Sequence, residues 1–126
     1  MKRTCHALAA VFLCLALAAP AGAGSEEYKG TAKGTNSKSY TVEVAAGQKL
    51  AVELKAKSSA VHFNVIPPPA SLGDNPAPIY LGESGGRSFA QRLDKPGRYR
   101  IDVFLEKADA ERGEQASFTL SVSTEP

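Results

Sequence analysis

Apolar and polar side chains alternate with a period of two along most of this chain, and beyond the first two dozen residues no segment sustains a helical period. Tyr40, Val42 and Val44 alternate with Thr41 and Glu43, and Leu50, Val52 and Leu54 alternate with Ala51, Glu53 and Lys55. Between the two runs Ala45-Ala46-Gly47-Gln48 has the chemistry of a tight turn, so the runs are expected to pair as a hairpin. In Val61 to Ile66, residues Val61, Phe63 and Val65 are expected to face inward, with His62 and Asn64 outward. Pro67-Pro68-Pro69 ends that run, because proline cannot donate to a ladder. Ala70 to Pro78 reads as a loop, Ile79 to Leu81 as a short strand, Gly82 to Gly86 as a turn and Ser88 to Leu93 as a strand.

Asp94-Lys95-Pro96-Gly97 is a second turn, which launches the clearest strand in the chain. Tyr99, Ile101, Val103 and Leu105 are its inward face; Arg98, Arg100 and Asp102 face out. Glu106 to Glu114 reads as a polar loop with a helical turn around Ala108 to Arg112, and Ala116 to Ser123 buries Phe118, Leu120 and Val122. A first strand lies between Glu27 and Lys33. The expected fold is all-β: an antiparallel β-sandwich of seven to eight short strands.

The first 23 residues break this pattern. Met1-Lys2-Arg3 is a positive start, Ala7 to Ala19 is apolar, and Ala21-Gly22-Ala23 is a small-residue cleavage site. These are the parts of a secretory signal peptide, with an apolar run too short to span a bilayer. Pro20 and the small residues after it favour cleavage over retention as a signal anchor. Leu13 before Cys14 is wrong for a lipoprotein anchor. The expected organisation is therefore a signal peptide at 1–23 and a single sandwich domain at 24–126.

Removing the leader changes the chemistry available. Gly24 to Pro126 holds 13 basic and 13 acidic side chains, one histidine (His62) and no cysteine. A neutral domain has no overall field to draw nucleic acid or an anionic membrane. Without cysteine there is no disulfide, thiolate metal site or thiol nucleophile. No nucleophile elbow, phosphate loop or dinucleotide fingerprint appears, and no motif fixes two carboxylates across a cleft. Asp109, Glu111 and Glu114 around Gly113 lack the alternate spacing of a calcium loop and read as a solvated charged segment. The expectation is a non-enzymatic binding protein without metal or cofactor. Its candidate contacts are Lys107, Glu111 and Arg112 in the polar loop, and Tyr80 beyond the proline loop.

Tyr40-Thr41-Val42, Ala46-Gly47-Gln48-Lys49-Leu50, Phe63-Asn64-Val65-Ile66-Pro67-Pro68, Pro96 to Ile101, Arg112-Gly113-Glu114 and Phe118-Thr119-Leu120 form a set of short motifs. Together they resemble small exported bacterial domains related to the periplasmic inhibitors of g-type lysozyme. The wider group is similar to the bacterial pre-peptidase C-terminal domain, also a β-sandwich. The resemblance implies a periplasmic protein whose loop side chains enter the lysozyme's glycan cleft, cations meeting carboxylates there. The pre-peptidase likeness implies instead an accessory module for cell-wall polysaccharide or an exported enzyme. The inhibitors' Arg-Asn-x-x-Arg pattern falls here on Lys107, Ala108 and Glu111, with Arg112 adjacent, and an early aromatic position falls on Thr35. Lys107 lacks the planar fork of arginine, and opposite an acidic cleft Glu111 is expected to repel.

Overall fold

The computed structural model describes residues 24–126, and the predicted signal peptide at 1–23 lies outside the described residues. These residues form eight strands: β1 (Gly24–Lys33), β2 (Lys38–Val44), β3 (Lys49–Ala56), β4 (Val61–Ile66), β5 (Tyr80–Leu81), β6 (Ser88–Arg92), β7 (Gly97–Leu105) and β8 (Gln115–Glu125). Among the described residues two short helices interrupt them, α1 (Gly82–Gly85) and α2 (Lys107–Glu111). The strands form two antiparallel four-stranded sheets, β1-β8-β3-β6 and β2-β7-β4-β5, packed face to face. This is the expected all-β sandwich.

The inward sets read from alternation make the core. Leu50, Phe63, Ile101, Leu120, Val61, Val65 and Val103 are fully buried, with Val52, Leu54, Tyr99, Leu105, Phe118 and Val122 nearly so. No helix among the described residues is long and apolar enough to cross a membrane.

The expected β2–β3 hairpin does not form. β2 pairs with β7 in one sheet, whereas β3 pairs with β6 and β8 in the other. Ala45 to Gln48 does turn, with the Gln48 N–H donating to the Ala45 carbonyl at 3.0 Å, but it carries the chain across the sandwich. Gly47 N–H donates to Leu93 O at 2.7 Å and Leu93 N–H to Gln48 O at 2.8 Å, so the turn is held by the β6 end instead of by its own strands. Alternation shows which face of a strand is apolar. Two strands in opposite sheets present apolar faces to one core as well as two strands in the same sheet do.

Two tyrosines fasten the core to its turns. Tyr99 begins β7 and donates its hydroxyl to Lys95 O at 2.7 Å, across the Asp94–Gly97 turn. Tyr80 packs between Phe63 and Phe89, with ring centroids at 5.2 and 5.1 Å. The segment after it passes so close to β4 that a Cβ on Gly82 would lie 2.2 Å from Phe63 O. Only glycine fits there.

Register fixes which loops are neighbours. Lys38 lies opposite Val103 and Val44 opposite Gly97, so β2 starts where β7 ends. The turns 34–37 and 57–60 and the segment 106–114 therefore share one end of the sandwich. The turns 45–48 and 93–96 and the proline loop share the other.

Candidate functional site

The Glu106–Glu114 segment is built as a cap over the first of these ends. Glu106 N–H donates to Ala60 O at 2.8 Å, and Gly34 N–H donates to Glu114 O at 2.8 Å, which stitches both margins of the segment to neighbouring turns. Between them α2 turns its one buried side chain, Ala110, onto the core. Gly113 closes the helix at φ +74°, a conformation L side chains rarely adopt, with its N–H donating to Ala110 O at 3.0 Å. His62 supports the segment from β4. A carboxylate can only accept, so His62 Nε2–H donates to Glu106 Oε2 at 2.8 Å. His62 does point away from the core, as alternation predicts, but its side chain is only 13% exposed under this contact.

The charged side chains of the cap pair with one another. Lys107 Nζ donates to Glu111 Oε2 at 2.6 Å across one helical turn. Arg112 donates through Nη2 to Asp109 at 2.6 Å and through Nε to Glu114 at 3.0 Å. Glu114, through its hydrogen bond first, and Asp109 raise the Arg112 guanidinium above its already high ordinary value. Glu111 thus faces a cation of its own chain and is no bare repelling charge. Asp109, Glu111 and Glu114 do not converge, because each is turned onto Lys107 or Arg112. Among the described residues no cluster of three His, Cys, Asp or Glu is placed to hold a metal ion. The outer groups remain exposed, Lys107 at 85% and Arg112 at 58% of their side-chain surface.

The structure brings Lys107, Glu111 and Arg112 together on this one cap. Tyr80 is elsewhere, half-buried at the sheet margin, with its hydroxyl donating to Gly86 O at 2.7 Å and Ser88 O at 3.1 Å. Burial raises the pKa of its phenol. The proline loop ahead of it is at the opposite end, tied by Lys95 Nζ to Pro68 O at 3.0 Å. Asp109, Glu114 and the His62–Glu106 prop complete the cap; the Asp109 and Glu114 pairs are local, whereas His62 meets Glu106 across 44 residues, which only the fold decides. What does meet α2 is the turn holding Thr35, since Gly34 lies against Ala110 and Glu114.

A solved structure from Aeromonas hydrophila, of a periplasmic lysozyme inhibitor of g-type lysozyme, superposes with a TM-score of 0.70 and 36% sequence identity. The match covers 82% of this chain and 89% of that one. The chain belongs to the family of periplasmic inhibitors of g-type lysozyme. Family members from Salmonella Typhimurium and Escherichia coli share the fold at 19% identity, each with a TM-score of 0.59, covering 91% and 93% of their own chains. No protein-family model matches the chain, and no curated protein does. The Thr35 turn and the Lys107–Arg112 segment meet on the same end of the fold.

Proposed function

We propose that this chain is an exported, periplasmic and non-catalytic inhibitor of g-type lysozyme, which seats the α2 cap in the enzyme's glycan cleft. The observation that carries the reading is the meeting of the Thr35 turn and the Lys107–Arg112 helix on one end of a fold shared, at 36% identity, with a solved inhibitor of that enzyme. The cations are held ready in a defined place by α2 and by Gly113, and they are exposed. Exposed ion pairs are weak, so exchanging Glu111 or Glu114 for a carboxylate of the partner costs little. Once the cleft excludes water the new pair is stronger than the one it replaces, which favours slow release. Glu111 then acts as an internal competitor that Lys107 must leave on binding.

The test is lysis of a peptidoglycan suspension by g-type lysozyme with increasing mature protein. Inhibition at stoichiometric amounts is expected, with relief by Lys107→Ala combined with Arg112→Ala. An enzyme at full rate under a large molar excess of the wild-type protein sinks the proposal.

A further inference from the structure

The outer face of the β1-β8-β3-β6 sheet carries a feature that the inhibitory cap does not use. Register places Lys29 of β1 and Lys55 of β3 on either side of Thr119 of β8. Two strand spacings separate them, about 10 Å between Cα atoms. With Lys57 they wall a wide, shallow groove of about 1060 Å³ floored by Ser117 and Thr119. A second groove of about 400 Å³ adjoins it through the shared residues Thr31 and Gln115, and is walled by Lys33 and Lys38. Five lysines and no carboxylate line the two grooves. Among the described residues none of these five ammonium groups makes an ion pair, although Arg98, Arg100, Lys107 and Arg112 all do.

The charge is segregated by rows. One row further along the same face, Ser121 is flanked by Glu27 and Glu53, which bound the basic region on the side away from the cap. A neutral domain has therefore gathered uncompensated positive charge along one track, from the middle of the sheet to the turn beside α2.

We infer that this track binds a linear anionic polysaccharide, its charged groups lying against the lysines that wall the two grooves and its hydroxyls on the Ser117–Thr119 floor. Charge complementarity selects an anion. The lining selects among anions. Protein interfaces are depleted in Lys and Ser and enriched in aromatic residues, and the one aromatic lining residue here, Phe118, is turned into the core at 4% exposure. Single-stranded nucleic acid needs aromatic faces for stacking, and none is presented. Lysines on flexible stems, with no arginine fork among them, suit a flexible chain of repeated charges better than one planar group. A neutral glycan gains nothing from the lysines and finds no ring to stack on.

The experiment uses the mature protein and three probes of similar length: an oligogalacturonate, a polyglutamate peptide and a neutral maltooligosaccharide. Affinities are measured at low and at near-physiological salt, and amide shifts are mapped by NMR. Oligogalacturonate is expected to bind most tightly, to weaken as salt rises, and to shift Thr31, Ser117 and Thr119. Lys29→Ala, Lys55→Ala and Lys57→Ala together should weaken it about tenfold or more. The same variant should inhibit lysozyme as the wild type does, so failure of the track and failure of the cap are read separately. Glu27→Gln with Glu53→Gln, on the bounding row, should bind more tightly. Polyglutamate binding more tightly than the uronate, shifts confined to another face, or undiminished affinity in a folded triple variant overturns the inference.

Discussion

Glu111 lies one helical turn beyond Lys107 and accepts from its ammonium at 2.6 Å. The pair holds the cation in place and also competes for it. Removing the competitor should therefore release binding energy. Glu111→Ala is expected to tighten lysozyme inhibition up to about fivefold, the equivalent of one exposed pair. Its melting temperature should barely move, because a surface i,i+4 pair supports a helix by only about 0.3–0.5 kcal/mol. Titrations of lytic activity and a thermal melt check both halves, and weaker inhibition by the variant would count against the cap mechanism.

The two loops weighed from sequence occupy opposite ends of the sandwich. Changes in the proline loop should therefore be silent for inhibition. Leu72 is fully exposed there, and Leu72→Ser is expected to leave the inhibition constant unchanged while Arg112→Ala raises it several-fold. Equal losses from both would place the interface elsewhere.

Core alternation makes a harsher prediction. Val103 is 0% exposed in the middle of β7, between β2 and β4. Val103→Asp buries an unpaired carboxylate with no room to reach water, a cost of several kcal/mol against a total stability of about 5–15 kcal/mol. Cooperative thermal unfolding should disappear. An intact transition would refute the inward assignment.

Gly82 answers a subtler question, whether close approach or conformational freedom requires the glycine. Its φ is not in the left-handed region, yet an added Cβ would sit 2.2 Å from Phe63 O and 2.8 Å from Phe63 N. Backbone on the far side cannot step aside as a side-chain tip can. Gly82→Ala should cost about 1–3 kcal/mol in denaturant unfolding, loosening the Tyr80 plug with it. A neutral result would mean that the α1 turn shifts freely.

Alkaline pH tests the packing of the tyrosines. Burial raises the phenol pKa of Tyr40, Tyr80 and Tyr99, with Tyr28 adding to it at Tyr40 and Asp94 at Tyr99. A raised folded pKa means the folded chain holds the proton more tightly. The stabilisation is thus complete below the unfolded value of about 10 and fades as pH climbs through the folded values. Absorbance at the tyrosinate band should lag behind that of free tyrosine and rise steeply as alkali unfolds the domain. Ionisation of all three at the free value, in a folded protein, would contradict the packing.

Sequence by itself determined the inward face of nearly every strand. It also determined the turns at Gly47 and Gly97, the helical turn after Glu106, and the neutrality of the chain beyond residue 23. These are local properties: side-chain period, proline and glycine stereochemistry, and a charge count. Tertiary structure alone decided that β2 and β3 lie in different sheets, because pairing rests on backbone hydrogen bonds between distant segments that alternation does not encode. It alone decided that the Thr35 turn meets α2 while the proline loop is far away. It also decided that His62 meets Glu106 across 44 residues, and that the five lysines lining two adjoining grooves make no ion pair among the described residues. Charges were countable from the start, but a charge acts through its neighbours: the helical turn sets those of Lys107 and Arg112, and strand register those of Lys29 and Lys55.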